Sequence, residues 1–383
     1  MKVLFLTRYG RLGASSRQRC FLYLAAFRAA GIRTDLHPLL DDNYLRDFYG
    51  GRATSAKYIL RSYAVRLAAL LRTRRYDLVW IEKEVLPWLP AWIELLFLKA
   101  AGTKFVVDYD DAIFHAYDRH RNRFVRKLLG SKIDRIMAAA DAVTVGNSYL
   151  GLRAKSAGAR HVGALPTVVD LRRYSLCRPG PVSGERPFTL GWIGTPVTSP
   201  YLELLRPALA ELGSRLPFRF VLVGAPAGAL NGIPVERVAW SAQTEAAELA
   251  RCDVGVMPLP DLPWERGKCG YKLIQYMASS LPVVASPVGV NREIVIPGET
   301  GFLAAADAEW VSSLLRLAQE PELRQRMGTA GRRRVKEHYS LEVGAPKLIE
   351  LLYNVCGSSP RRRGIPASPD AVQGAAARHG PVS

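Results

Sequence analysis

The sequence predicts an α/β protein made of two similar halves, each a parallel sheet covered by helices on both faces. Three observations predict it. Short apolar runs alternate with longer helix-like stretches along most of the chain. That rhythm stops near residue 166, in a stretch rich in proline, glycine and arginine, and then restarts. The length, 383 residues, suits two domains of ordinary size.

In the first half, Lys2 to Thr7 reads as a buried strand, followed by a glycine-bearing loop and a helix from Arg17 to Ala30 that Gly31 stops. Strands follow at Arg33 to Pro38, Asp77 to Ile81, Lys104 to Val107 and Ala142 to Val145. The apolar stretch Val85 to Ala101 contains Pro87, Pro90, Glu94 and Lys99, so it reads as a buried helix or as a surface that touches membrane. Pro166 and Arg178 to Arg186 mark a linker. Beyond it, strands are expected at Thr189 to Ile193, Phe218 to Val223, Val254 to Met257 and Pro282 to Ala285. Helices are expected at Tyr201 to Leu212, Gly270 to Ala278, Glu309 to Leu317 and Pro321 to Tyr339. The stretch from Gly357 to Ser383 has almost no large apolar residues and reads as a disordered tail. The expected division is residues 1–170, a linker at 171–187, and residues 188–356, with the last helix able to pack back on the first domain. Two such halves are expected to face each other across a cleft, with ligands beyond the carboxyl ends of the strands.

Composition limits the function classes. Hydrophobic residues form 49% of the chain, which excludes a wholly disordered protein. Five scattered cysteines with no CxxC pair support neither a disulfide framework nor a structural zinc site. The N-terminal apolar run ends at Leu6 with no small-residue cleavage site, and a cytoplasmic location is expected. The formal charge of +19 favours polyanions, anionic lipid or phosphate-bearing substrates, although 41 Arg against 12 Lys also suits a GC-rich coding sequence. No interleaved aromatic and basic motif points to nucleic acid, so none is expected as a partner.

Four stretches carry candidate chemistry. Gly267 to Asn291 places a glycine-opened helix beside strand ends, where free N–H groups and the positive end of the helix dipole suit a phosphate; Lys268 and Lys272 add charge there. The alternative is an ordinary packing helix. DYDDAIF places Asp108, Asp110 and Asp111 at the end of the strand KFVV. These carboxylates suit a general base, acceptor hydroxyl binding or a divalent cation, or they simply cap a helix. Glu82, in IEKEVLPWLP, stands at another strand end. Trp88 and Trp92 are either domain core or an apolar patch for a lipid-linked acceptor. GASSRQR opens on Gly13 and follows Gly10, both suited to close backbone approach, and has Ser15 or Ser16 to cap a helix bearing Arg17 and Arg19.

The second half resembles family 4 (group 1) glycosyltransferases of the GT-B fold, two Rossmann-like domains. The resemblance runs through GWIGTP, FVLVGA, DVGVMPL, the segment GKCGYKLIQYMASSLPVVASPVGVN, EIVIPGETGFL and MGTAGRRRVKEHYS. GASSRQR, DYDDAIF and DAVTVGNSYL in the first half resemble a polysaccharide-related branch more loosely. The resemblance implies a retaining transfer of sugar from a nucleotide-sugar donor to an acceptor hydroxyl, a sugar or lipid-linked saccharide, in cell-surface polysaccharide or glycolipid synthesis. Asp110 falls where many members have an active-site His. The implied catalytic residues are Asp110, Asp111 and Lys272. Donor contacts would come from Gly13, Arg17, Gly194, Thr195, Val223, Gly224, Trp240, Lys268, Gly270, Tyr271 and Gln275. Acceptor contacts would come from Arg19, Glu82 and Asp108.

Two departures stand out. Where the family has two glutamates eight positions apart, this chain has Gly267 and Gln275, with Glu265 two residues away. Where many members carry Arg and Lys after the first strand of this half, it has TPVTS. The leaving diphosphate would then be balanced by Lys272, Lys268, Arg266 or Arg17 and Arg19, with no metal or other cofactor required. The lost glutamates also suit a different class, a non-catalytic scaffold or sugar-nucleotide-binding protein of an assembly complex. Residues 1–75 hold 15 basic against 4 acidic side chains, and Tyr117 to Arg135 holds seven against two. This placement suits peripheral contact of the first domain with an anionic membrane.

Overall fold

The computed structural model describes residues 1–174 and 187–357. The core of the expected linker, Arg178 to Arg186, and the expected tail beyond Gly357 lie outside the described residues. The chain divides into two compact units, one of Met1–Pro166 with the chain from Leu341 onward, the other of Thr167–Ser340.

The first unit contains six parallel strands: β1 (Lys2–Tyr9), β2 (Arg33–Leu40), β3 (Leu78–Glu82), β4 (Phe105–Tyr109), β5 (Ala142–Val145) and β6 (Val162–Ala164), in the order β2-β1-β3-β4-β5-β6. The central strands β3, β4 and β5 are buried throughout, as strands covered on both faces must be. Strand order reverses at β1, so the crevice beyond the carboxyl ends of β1 and β3 is this sheet's natural ligand position. The expected long helix from Arg17 is broken. A helix Ala14–Arg19 and a helix Leu24–Ala29 flank a 3-10 turn at Phe21–Tyr23. The break falls at Cys20 (φ −131°, ψ −64°), directly after the fully buried Arg19.

The second unit repeats the plan. Its strands are β7 (Phe188–Ile193), β8 (Phe218–Val223), β9 (Glu236–Val238), β10 (Val254–Met257), β11 (Val283–Ala285) and β12 (Gly301–Leu303), all parallel, in the order β12-β11-β10-β7-β8-β9. Here the order reverses between β7 and β10. The expected helix from Tyr201 is a 3-10 stretch, Ser199–Leu205, followed by a helix Arg206–Arg215 whose second residue, Pro207, needs no N–H partner.

The last helix, Leu341–Cys356, belongs to the first unit: Leu348 and Leu352 are buried, and Tyr353 Oη donates to the Ala30 carbonyl at 2.8 Å. Among the described residues no helix is long and apolar enough to cross a membrane.

Candidate active site

In the first unit the expected acidic residues split into two groups. Asp108 is inside β4 and fully buried. Arg19 meets it in a two-pronged ion pair, Nε to Oδ2 at 2.8 Å and Nη2 to Oδ1 at 2.6 Å. Thr144 Oγ1 donates to Asp108 Oδ1 at 2.6 Å, and Arg19 Nη1 donates to the Leu165 carbonyl at 2.6 Å. Arg19 and Asp108 were expected to face an acceptor. They are instead a buried strut that ties the first helix to β4, β5 and the end of the sheet. Burial alone would lower the Arg19 pKa, but Asp108 outweighs it and holds the guanidinium charged.

Glu82, at the end of β3, is also buried rather than open to an acceptor. Its Oε2 accepts from Ser16 Oγ at 2.6 Å and from Arg8 N at 2.9 Å, fixing the loop after β1. Burial raises its pKa, partly offset by the neighbouring Lys83.

Asp110 and Asp111 form the second group around Lys83, which sequence reasoning missed. Lys83 Nζ lies 3.0 Å from Asp110 Oδ1, 3.6 Å from Asp111 Oδ2 and 3.2 Å from Ser15 Oγ. Lys83 sits in the left-handed region (φ +66°), and the Glu84 N–H returns to the Glu82 carbonyl at 2.8 Å, closing a tight turn about it. A non-glycine residue held so costs on the order of 1–3 kcal/mol, a strain that tends to cluster at functional sites. Burial alone would neutralise Lys83; Asp110, Asp111 and Glu82 outweigh it and keep the ammonium charged. Burial likewise opposes ionisation of Asp110, but Lys83 and Arg19 win and hold it below the usual carboxylate range. Asp110 is thus a stable anion and a weak base. Asp111, with 27% of its side chain exposed, is the carboxylate of this group most open to a ligand. The only sequence signal for Lys83 was a cation between two glutamates just past a strand. Among the described residues no three His, Cys, Asp or Glu side chains converge on a metal-sized site.

The loop ending at Gly13 folds over the end of β1, and Arg17 follows it in the helix Ala14–Arg19. A Cβ at Gly13 would come within 2.5 Å of Tyr9 Cβ, and Arg17 Nη1 donates to the carbonyls of Arg11 and Leu12 at 3.2 and 3.3 Å. His115 opens the short helix His115–Asp118 and lies between Asp118 and Tyr149, each 2.8 Å away. Trp88 and Trp92 are 51% and 61% exposed, which decides against the core reading.

In the second unit the expected donor residues gather at the carboxyl ends of β7, β8 and β9. Gly194 N donates to the Val223 carbonyl at 3.0 Å, and Gly224 N to the Val238 carbonyl at 2.8 Å. Gly224 has φ +81°, and a Cβ there would strike the Gly194 carbonyl oxygen and approach Trp240 Cβ at 3.1 Å. Only glycine allows these loops to touch. Trp240 Nε1 donates to Glu245 Oε2 at 2.8 Å, fixing the indole. The Val223 side chain is buried in the core, so its contribution at the site is its backbone.

Thr195 N donates to Thr198 Oγ1 at 3.2 Å, and Lys272 Nζ reaches the same oxygen at 3.4 Å. The ammonium lies 5.0 Å from the Trp192 ring centre, a cation–π contact. Lys272 is thus brought to the TPVTS loop, which itself carries no cation. Gly270 (φ +64°) caps the helix Tyr271–Ala278 through its backbone, its carbonyl accepting from Leu273 N at 2.9 Å. Lys268 and Tyr271 flank that opening.

Gln275 departs from expectation. It is 2% exposed and its Nε2 donates to Tyr174 Oη at 3.1 Å, so it faces the interior rather than a ribose. Burial pushes the Tyr174 hydroxyl up to about 12, so it remains a neutral partner. Arg266 pairs with Asp261 at 2.6 Å on the surface. Glu265 is buried and accepts from Tyr201 Oη.

Residues 187–320 match a family model described as glycosyl transferases group 1. Over 88 residues the chain is 27% identical to trehalose synthase of Pyrococcus horikoshii, across 23% of this chain and 21% of that protein. The match therefore spans about a fifth of the curated relative's length. Sucrose-phosphate synthase of Thermosynechococcus elongatus superposes with TM-score 0.70 at 16% identity, over 93% of this chain and 99% of that one. HepE of Anabaena in complex with UDP-glucose superposes with TM-score 0.67 at 15% identity, over 92% and 100%. Residues 187–320 are a group 1 glycosyltransferase domain, carried on a chain with the GT-B fold of these neighbours.

Proposed function

We propose that the protein transfers a sugar, with retention of configuration, from a nucleotide-diphosphate sugar to an acceptor hydroxyl in cell-surface polysaccharide or glycolipid assembly. The second unit would hold the donor and the first the acceptor. One observation carries the reading. The glycine-opened helix Tyr271–Ala278, with Lys272 lodged against Thr198 and Trp192, meets the loop after Gly194, against which Gly224 packs, at the sheet's switch point. The positive end of the helix dipole and an ammonium suit a diphosphate, and the fixed Trp240 suits a neighbouring ring.

In the reaction the acceptor oxygen bonds to the anomeric carbon as the carbon–oxygen bond to the diphosphate breaks. Negative charge then grows on the leaving diphosphate, where Lys272 and the helix terminus stabilise it. The acceptor proton passes to a nearby base. Asp111, the more exposed carboxylate, suits acceptor contact, while Asp110 and Lys83 hold it in place. The acceptor would be a sugar or lipid-linked saccharide at the inner face of a membrane.

The donor test is thermal unfolding with a panel of nucleoside diphosphates and nucleotide sugars. At least one should raise the midpoint, and Lys272→Ala should weaken that ligand about 10–100-fold, as expected for a lost charged hydrogen bond. A panel without effect would overturn the reading. The inward Gln275, with Gly267 in place of the other carboxylate, favours a second reading, a scaffold that binds sugar nucleotides without turnover. Binding without release of nucleoside diphosphate in the presence of glycolipid acceptors would support it.

A further inference from the structure

The first unit presents three neighbouring helices whose outer faces are apolar and basic but not acidic. On the helix Ala56–Leu71, Leu60, Val65 and Leu71 are 72%, 53% and 70% exposed, and Lys57, Arg61 and Arg72 lie among them on the same exposed face. From Phe48 through Tyr76 the sequence has seven cations and no carboxylate, and six of the seven, all but the buried Arg66, are exposed. Tyr63 Oη donates to the Pro87 carbonyl at 2.7 Å, joining this helix to the turn that bears Trp88.

Trp88, Trp92 and Leu96 follow one another at four-residue spacing and are all more than half exposed; Trp92 and Leu96 share one face of the helix Ala91–Ala101. That helix's one carboxylate, Glu94, is turned fully inward onto Val85 N, Leu86 N and Lys132. The Trp88 ring packs against Tyr117 and His120, with ring centres 5.3 and 5.8 Å apart. These residues lead into a third helix, Arg123–Leu129, where Phe124 and Leu128 are 82% and 65% exposed. Arg119 through Ile133 holds six cations and no carboxylate, and five of the six, all but the buried Lys132, lie at the surface.

Single exposed apolar residues are ordinary; a connected band of indole, phenyl and leucine side chains rimmed by cations is not. Indoles belong at the boundary of headgroups and acyl chains, and Lys and Arg extend their charge to phosphates while their stems stay apolar. Nucleic acid would match the charge but leave the leucines of the first helix unpartnered. We propose that this face docks on the surface of an anionic phospholipid bilayer, without spanning it. The inference deepens the membrane part of the proposed function and rests on it for the identity of the acceptor, but its test reads binding alone.

The test is co-sedimentation of the full chain with vesicles of phosphatidylglycerol and phosphatidylcholine in equal parts, and with phosphatidylcholine alone. The chain should sediment with the anionic vesicles and far less with the neutral ones. Each cation removed by Lys57→Glu or Arg61→Glu should weaken partition about fivefold or more. Trp88→Ala with Trp92→Ala should weaken it at least about tenfold. All three variants should keep the wild-type unfolding midpoint and nucleotide response, which excludes misfolding as the cause. Equal sedimentation of wild type and variants, or none with anionic vesicles, overturns the proposal. So does a wild-type dimer that Trp92→Ala converts to monomer, since that assigns the face to a second copy. A chain that sediments but turns over no nucleotide sugar keeps this surface and loses the proposed reaction; the reverse result does the opposite.

Discussion

At the scale of single residues, burial decides which charged side chains are structural and which can meet a ligand. Arg19 and Asp108 use their charge on each other at 1% and 0% exposure. Removing one partner of such a pair strands the other, at a cost of about 3–5 kcal/mol. Arg19→Ala should therefore lower the unfolding midpoint sharply, whereas loss of a mere acceptor contact would leave stability intact. Arg19→Lys should rescue little, because an ammonium cannot make the two-pronged contact. Glu94 supplies a second test, by pH. Burial first, and then repulsion from Glu84, raises its pKa from 4.5 to about 7, with Lys132 and two backbone N–H groups only partly offsetting them. Between those values the folded state keeps a proton that the unfolded chain has lost. The group's contribution is thus fully present below 4.5 and is lost as pH rises through about 7. Glu94→Gln removes this slope, so the variant should gain on wild type by on the order of 1–3 kcal/mol from acid to mildly alkaline pH. Parallel stability curves for the two proteins would contradict the assignment. The residue types at this site were legible in DYDDAIF and GASSRQR. Their division was not, because sequence does not show which carboxylate a guanidinium 89 positions away will claim. Lys83 was hidden for the same reason: a cation between glutamates looks like a solvated strand end until the turn around it is seen.

At the scale of elements, the central strands and the edge strand β2 were legible, and the other three edges, β6, β9 and β12, were not. β5, β8 and β10 occupy the expected residues because strand residues buried on both faces are mostly apolar; β5 and β10 are buried throughout and β8 from Phe220 onward. β6, β9 and β12 have three residues each, too few to show a period, and they become strands only through their neighbours. The helix break at Cys20 was invisible because the apolar pattern runs across it; the Arg19 strut sets it. The glycine-opened helix was legible in kind, and its geometry gives a sharp prediction. Gly270 combines φ +64° with a position where a Cβ would strike the Ile294 δ-methyl. Left-handed backbone costs an L-residue about 1–2 kcal/mol before any clash. Gly270→Ala should therefore destabilise the second unit by at least that much. It should also weaken nucleoside diphosphate binding by turning the first N–H groups of the helix, as titration calorimetry would show. An alanine variant that binds as wild type does would detach this helix from the donor site.

At the scale of the whole molecule, the chain order and the folding units do not coincide. The last helix, Leu341–Cys356, follows the second unit in sequence but completes the first. It buries Leu348, Leu352 and Tyr353, places the Tyr353 hydroxyl on the Ala30 carbonyl, and receives Lys104 Nζ on the Val355 carbonyl at 2.7 Å. Ala30 and Lys104 lie just before β2 and β4, so the helix braces two strand starts at once. Burying three such side chains stabilises by roughly 1.5–3 kcal/mol each, against a helix-ordering cost that the packing must exceed. A chain ending at Ser340 should therefore lose hydrogen-exchange protection at β1, β2 and the helix Leu24–Ala29. The strands β7, β8 and β10 should keep theirs, and the nucleotide response carried by the second unit should survive. If protection fell first in the second unit, the helix would belong there despite its contacts. If neither changed, its packing would add nothing beyond its own ordering.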